Sequence, residues 1–397
     1  MEGFKVNYSY PLSDDTWGRE EIEAILNVIL SKNFTMGKTV KEFENIFADW
    51  IGSKYAIMVN SGSSANLLAI AALVYSGRLE RGDEIIVPAV SWSTTYFPLH
   101  QYGLRLKFVD IDKETLNIDP TVVENAITKD TKAIFAVNLL GNPCDYNKLQ
   151  KICKDHNLLL LEDNCEALGA VYNGKYTGTF GLIGTFSMFY SHHICTMEGG
   201  VAVTDDEELY HYMLAIRAHG WSRDLPENSR IYKKSKSSFY ERFNFIVPGY
   251  NLRPLEMEAA IGIQQMKKID RIISQRRLNA EYFLSRIGKM PLFRTQKETG
   301  KSSWFGFPII LSENASLKRE ELIKILENGG VETRPIVAGN FVRNPVMKYI
   351  NHTIHGNLPS ADYIHFNGLF VGNHSKDIKD KIDLLFSLLH SFAITHR

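Results

Sequence analysis

Five short apolar runs, at residues 55–59 (YAIMV), 84–87 (EIIV), 107–109 (KFV), 133–137 (AIFAV) and 158–161 (LLLL), are separated by intervals long enough for a helix or a crossover. Runs that are apolar at nearly every position belong to strands covered on both faces, and helical spacers between them join parallel neighbours. Two further strands, at 184–189 and 200–204, are joined by a polar turn. The pattern predicts an α/β architecture built on a large, mainly parallel sheet of about seven strands. From 253 to 288 it changes to one long helical stretch, with Leu255, Ala259, Ile263, Met266 and Ile269 on one face. A strand at 304–311 and a helix at 317–328, closed by Gly329-Gly330, follow. The expected division is a large domain over residues 1–265 and a smaller α+β domain over 266–397.

Composition narrows the functional classes. The 45 basic residues balance the 45 acidic ones, which argues against a general nucleic-acid binder. No apolar run approaches the length of a membrane span, and the longest, 67–74, reads as a buried helix. The start, MEGFKVNYSY, lacks the charged-then-apolar pattern of a secretory signal. Cys144, Cys153, Cys165 and Cys195 form no CxxC pair and suggest no disulfide framework. The expected compartment is the cytoplasm.

Three segments carry chemistry. Asn60-Ser61-Gly62-Ser63-Ser64-Ala65-Asn66-Leu67 follows the first strand and opens a helix. Glycine there allows close backbone approach, and free amides at a helix start suit a phosphate, although a capped turn without ligand has the same composition. Asp163 follows the Leu run, at the carboxyl end of a strand, where open α/β sheets bind ligands. It reads either as the partner of a protonated pyridine nitrogen or as a cap of the next helix. The third segment, 187–200, places Ser187, the pair His192-His193 and Glu198-Gly199-Gly200 within fourteen residues. The histidines read as polar turn residues or as proton carriers; as neighbours they rarely reach one metal ion together. Between 222 and 245, Arg223, Arg230, Lys233, Lys234, Lys236 and Arg242 face Asp224, Glu227 and Glu241, as in a solvated loop or a phosphate-facing lid.

In this order the three segments resemble the sugar aminotransferase family of fold type I pyridoxal-phosphate enzymes. In that family the third segment carries a lysine five residues after the serine and six before Glu-Gly-Gly. Counting from Ser187 and from Glu198 both lead to His192, whereas aligning the family's phenylalanine on Phe189 leads to His193. In either register histidine stands where the family has lysine. That departure resembles the branch of pyridoxamine-phosphate-dependent sugar 3-dehydratases. Further likeness lies in Phe34-Thr35-Met36-Gly37, the runs 87–96 (VPAVSWSTTY) and 137–143 (VNLLGNP), Ala218-His219-Gly220-Trp221, Pro248-Gly249-Tyr250-Asn251, Arg334-Pro335-Ile336-Val337 and 368–374 (GLFVGNH), covering nearly the whole chain.

The resemblance implies a large domain that binds pyridoxal or pyridoxamine phosphate. Gly62 and Ser63 would meet the phosphate through backbone amides, and Ser187 through its hydroxyl. Trp92 would stack on the pyridine ring, Asp163 would pair with its nitrogen and Glu166 would face its hydroxyl. Asn251 would reach the phosphate from a second subunit, which implies a homodimer with shared sites. Core packing for Trp92 and a turn role for Asn251 are the plainer readings. His192 would be the catalytic base, and His193, His219 and Arg223 would touch sugar or diphosphate. The substrate implied is a nucleotide-linked 4-keto-6-deoxyhexose, carried on GDP. It would lose its 3-hydroxyl on the way to a 3,6-dideoxyhexose such as colitose for a surface polysaccharide, with L-glutamate regenerating the cofactor. A 4-aminotransferase and a non-catalytic cofactor-binding relative are the alternatives. A related branch holds an iron–sulfur cluster on cysteines of its C-terminal half; the last cysteine here is Cys195, so no cluster is expected.

Overall fold

The structure, a computed structural model, describes residues 8–312 and 319–395. The five apolar runs form β1 (Tyr55–Val59), β2 (Glu84–Pro88), β3 (Arg105–Val109), β4 (Thr131–Val137) and β5 (Leu159–Asp163). A small hairpin of β6 (Val171–Tyr172) and β7 (Lys175–Tyr176) precedes β8 (Ile183–Ser187) and β9 (Gly200–Thr204). The C-terminal part holds β10 (Phe293–Arg294), β11 (Gly306–Leu311), β12 (His352–Ile354) and β13 (Gly368–Gly372).

Eight strands make the large sheet, in the order β1-β9-β8-β5-β4-β2-β3-β12. All neighbours are parallel except around β9, which runs antiparallel to both β1 and β8. Alternate residues of β1 serve opposite layers. Ile57 and Val59 pack with the helix Gly62–Tyr75, whereas Ala56 and Met58 pack with Phe43 and Phe47 of the helix Lys38–Ile51. Both faces are therefore covered, as an all-apolar strand requires. The sheet is one strand wider than expected because β12, late in the chain, adds to the edge of β3 through His352–Leu106 to Ile354–Phe108 pairing. Just beyond it, the Asp110 carboxylate accepts from the amides of Ser360 and Ala361, both at 2.8 Å, at the start of the helix Pro359–Asn367.

The expected long helix at 253–288 is two helices, Glu256–Met266 and Ile269–Ile287. The break falls at Lys267 and Lys268. Lys268 turns its ammonium to Glu20 at 2.6 Å and to the wholly enclosed Glu21 at 2.8 Å, on the helix Arg19–Ser31 packed alongside. The strand expected from residue 304 starts at Gly306, because Trp304 adopts a left-handed φ of 48°. Leu317, read as an early residue of a helix, lies outside the described residues; the described helix is Arg319–Asn328.

A second core surrounds the antiparallel sheet β10-β11-β13, where the rings of Phe283 and Phe307 stack at 4.4 Å. The N-terminal segment joins it: Tyr10 pairs with Val331 and donates its hydroxyl to Gly372 O at 2.6 Å. Among the described residues, no helix is long and apolar enough to cross a membrane.

Candidate active site

The site forms along the carboxyl ends of β5 and β8 and the start of the helix that follows β1. Ser61 caps that helix, its hydroxyl accepting from Ser64 N at 3.1 Å. The amides of a first helical turn have no carbonyl partner within their own helix, so they are available to an anion. Three elements press closely here. A Cβ placed on Gly62 would lie 2.5 Å from Ser187 Cβ, and one on Gly200 would collide with Ser61 O and Gly62 N. Gly62 and Gly200 thus let the Ser187 side chain and the helix start share one cup. Ser187 Oγ accepts from Phe189 N at 3.3 Å, and Ser63 Oγ bonds Thr94 at 3.2 Å on the rim.

Gly200→Ala follows as a test of that packing. Overpacking of this kind costs about 1–3 kcal/mol. The variant is expected to bind pyridoxal phosphate about tenfold or more weakly in an absorbance titration, and an unchanged affinity would show that the close approach is not needed.

Asp163 ends β5 and is buried. Its Oδ2 accepts from Asn66 Nδ2 at 2.9 Å and Thr95 Oγ1 at 2.8 Å, and its Oδ1 accepts from Cys165 N at 3.1 Å. Asn66 is fixed in turn by Thr185 Oγ1 at 2.6 Å, and Thr95 by Ser91 at 2.8 Å. No helix follows Asp163; the chain continues in turns. The carboxylate is therefore held as a pre-oriented anion rather than spent on a cap. Asn66, Thr95 and Thr185 were not singled out from the sequence, although Asn66 and Thr95 lie in the quoted motifs. Trp92 stands at the start of the helix Ser93–Gln101 with 58% of its surface exposed, so its ring is not in the core.

Glu166 accepts from Leu140 N at 2.9 Å. Burial, with a smaller contribution from the Asp163 charge, raises its carboxyl to about 7. Leu140 is itself strained, with φ 51°, and accepts from Phe305 N at 3.0 Å. Phe305 connects this side of the site to the histidines, since its ring lies 5.1 Å from that of His192 and 5.9 Å from that of His193.

His192 is partly enclosed between Phe305 and Phe189, and its Nδ1 is buried without a hydrogen-bond partner among the described residues. Burial first, and then the positive charge of Arg276, push its imidazole down to about 3, so it is uncharged at neutral pH. His193 is 0% exposed, and its Nε2 donates to Ser303 O at 3.2 Å. The loop carrying the pair is anchored at its exit. Trp17 Nε1 donates to Cys195 O at 2.9 Å, and Cys195 N donates to Gln265 Oε1 at 3.2 Å.

His219, Arg223 and Asn251 form a second, more exposed cluster around Trp221. The His219 ring lies 4.6 Å from Trp221, whose face is covered by the guanidinium groups of Arg223 at 3.7 Å and Arg253 at 5.5 Å. Arg253 donates to Asn251 Oδ1 at 3.0 Å, and Asn60 N donates to Leu252 O at 3.0 Å, so this stretch runs beside the turn at 60–64. The segment from 222 to 245 is neither loose nor uniformly solvated. Glu241 gathers it, accepting from Ser222 Oγ at 2.5 Å, Ser235 N at 2.7 Å and Tyr232 at 3.1 Å, bonds that hold its carboxyl down to about 2.

Among the described residues no three histidine, cysteine, aspartate or glutamate side chains gather as metal ligands. The family model of the DegT/DnrJ/EryC1/StrS aminotransferases matches residues 15–384. The GDP-4-keto-6-deoxy-D-mannose 3-dehydratase of Escherichia coli O55:H7 is 56% identical over 385 residues, 96% of this chain and 99% of that protein. The structure of the E. coli GDP-4-keto-6-deoxy-D-mannose-3-dehydratase with bound hydrated PLP superposes with a TM-score of 0.95 at 56% identity, covering 96% of this chain and 99% of that one. A structure of GDP-4-keto-6-deoxymannose-3-dehydratase with a trapped PLP-glutamate geminal diamine matches with the same score and identity, over 96% and 100% of the two chains. With a glycine-lined cup at the helix start, a fixed carboxylate at the end of β5 and these likenesses along nearly its whole length, the chain belongs to the DegT/DnrJ/EryC1/StrS aminotransferase family.

Proposed function

We propose that this protein removes the 3-hydroxyl of GDP-4-keto-6-deoxy-D-mannose with pyridoxamine phosphate, leaving a 4-keto-3,6-dideoxyhexose, and that L-glutamate restores the cofactor. The observation that carries the reading is His192. An imidazole stands where the wider family keeps its tethering lysine, so the site binds its cofactor without covalent attachment and retains a proton carrier instead. The relatives named for this dehydration, and the one trapped with PLP and glutamate, support substrate and donor.

The residues present fit pyridoxamine phosphate. The glycine-lined cup of Gly62 and Ser187 accepts a phosphate, Asp163 offers a fixed anion and Trp92 an exposed aromatic face. When bound, this cofactor supplies an amine that captures a keto carbon and a ring that accepts the electron pair released beside it. Gly62, Ser63 and Ser187 hold the phosphate, and Trp92 covers the ring. Asp163 keeps the proton on the ring nitrogen, its own charge stabilised by Asn66, Thr95 and the Cys165 amide. Glu166, with its carboxyl raised to about 7, faces the ring hydroxyl and can hold or release a proton there. His192, uncharged at rest, takes a proton from the cofactor methylene and passes it to the departing 3-hydroxyl.

His219 and Arg223 are assigned to the substrate's diphosphate side, within the Trp221 cluster. Asn251 is assigned to the phosphate of a second subunit in a homodimer. The exposed apolar stripe of Ile22, Leu26, Ile29 and Leu30, and the exposed Phe239, Phe243 and Phe245, support a second copy as the cover. Four free cysteines and a nucleotide-sugar substrate fit the cytoplasm. The deciding experiment is product analysis with GDP-4-keto-6-deoxy-D-mannose, pyridoxal phosphate and glutamate. A 3-deoxy keto sugar with release of ammonia is expected; an amino sugar as the main product would establish a 4-aminotransferase instead.

A further inference from the structure

A histidine that moves protons is ordinarily oriented by a hydrogen bond at the ring nitrogen that does not meet the substrate. For His192 no such bond is formed among the described residues. Its Nδ1 is enclosed and unpartnered there, so Nε2 is the nitrogen left to exchange a proton with the site. Nε2 can accept only while Nδ1 carries the ring's hydrogen, and no acceptor among the described residues selects that arrangement.

Two aromatic rings flank the imidazole instead, both edge-to-face, Phe305 at 5.1 Å and Phe189 at 6.0 Å. They are not equivalent. Phe189 belongs to the same turn, where its carbonyl accepts from His192 N at 2.9 Å. A ring that travels with the turn cannot fix the imidazole against the rest of the site. Phe305 comes from a different segment, just ahead of β11, and its peptide is held on both sides. Its N–H donates to Leu140 O at 3.0 Å, and its carbonyl accepts from Nη1 of the buried Arg276 at 3.2 Å. Leu140 gives its own N–H to Glu166 at 2.9 Å, so one peptide joins the Phe305 backbone to that carboxyl. The approach is close: a Cβ on Gly141 would lie 2.7 Å from Trp304 N and 3.0 Å from Phe305 N. The Phe305 ring packs against His193 at 5.9 Å and Phe370 at 6.3 Å and stays only partly buried. His193, 0% exposed and bonded to Ser303 O, shores up this segment and offers no surface to a sugar.

We propose that Phe305 is a positioning residue for the proton transfer: its ring, fixed through Leu140, Arg276 and Phe370, holds the His192 imidazole in place of the missing hydrogen bond. The proposal rests on His192 as the base. An imidazole oriented by packing depends on the shape of its neighbour, and a reacting group displaced by about 1 Å loses on the order of a hundredfold in rate.

Phe305→Leu keeps an apolar side chain but removes the flat ring, whereas Phe305→Tyr keeps the ring. With saturating pyridoxamine phosphate and GDP-4-keto-6-deoxy-D-mannose, the Leu variant is expected to lose about ten- to a hundredfold in kcat. Its KM and its affinity for pyridoxal phosphate should stay near the wild-type values, and the Tyr variant should stay near wild type throughout. A second measurement needs no turnover. Carbon-13 histidine NMR on the full-length protein without cofactor follows the ring itself, with His192 assigned by its loss in His192→Asn. In Phe305→Leu the His192 Cε1–H signal should lose its ring-current shift and its relaxation should show added picosecond-to-nanosecond motion, while His193 stays rigid. A Leu variant with wild-type kcat, a loss carried by KM or by cofactor affinity, a Tyr variant as slow as the Leu variant, or a His192 ring equally rigid in the Leu variant would each overturn the proposal. Should the Leu variant not fold, Phe305→Met takes its place in both measurements. The failure of the underlying reading is separate: His192→Asn that still dehydrates removes the base role, and the NMR comparison still decides whether Phe305 holds the ring.

Discussion

His192→Lys is expected to capture pyridoxal phosphate covalently, turn yellow, and lose dehydratase activity by about two to four orders of magnitude. Lysine is the residue the wider family keeps at this place, and the surroundings allow it. His192 Nδ1 has no hydrogen-bond partner among the described residues that the change would break, and the loop is held independently by Trp17 and Gln265 through Cys195. An amine engaged with the cofactor no longer shuttles protons, and it competes with the pyridoxamine form that the reaction needs. Borohydride followed by peptide mapping should label position 192 in the variant and no lysine in the wild type. Dehydration at the wild-type rate in the variant would remove the base role from position 192.

The second large effect is expected for Asp163→Asn. Oδ2 of Asp163 faces two donors, Asn66 Nδ2 and Thr95 Oγ1, and Oδ1 faces a third, Cys165 N. An amide has one oxygen, so its NH2 must point at a donor, and a mismatch of this kind costs about 1–3 kcal/mol. That is small beside the cores that hold the domain, and the fold should survive. The chemical loss is larger. Without an anion opposite the ring nitrogen the ring no longer stays protonated, and the electron pair released next to the sugar's keto carbon has nowhere to go. Turnover at saturating cofactor should fall by about a hundredfold or more, in the range seen when one preorganised electrostatic group is removed. Near-normal turnover, with circular dichroism unchanged, would exclude the electron-sink role for this carboxylate.

Much of this architecture was legible in the chain because apolar runs that must be covered on both sides have few alternatives. β1 and β9 match the expected bounds, and β2 to β5 and β8 fall within a few residues of them. What escaped was non-local. The eighth strand, β12, is three residues long, and two of them are exposed, so nothing in its own composition marks it as part of a sheet. The break at Lys267-Lys268 depends on Glu20 and Glu21, far away in sequence. The site behaved similarly. Asp163, Gly62 and Ser187 stand out as candidates in the chain because each sits at the end of a strand or the start of a helix, where position narrows the role. The burial of Arg276 has no such signal, because an arginine in an amphipathic helix usually lies at the surface. Only its enclosure against the Trp304 and Phe305 carbonyls sets it apart.

The return of the chain to its earlier half bears on how the protein comes to be made. β3 remains an open edge until His352–Ile354 arrives, and Asp110 receives its amide partners at Ser360 and Ala361 from 250 residues further on. The N-terminal segment, in turn, waits for Val331 and Gly372 before Tyr10 can be enclosed. Until those residues are made, a nascent chain therefore carries an unpaired strand edge at β3 and an unsheltered aromatic at Tyr10. Contacts of such sequence separation form slowly and leave exposed surfaces that invite association. Arrival of residues 352–372, rather than completion of the main sheet's first seven strands, supplies the partners of β3, Asp110 and Tyr10.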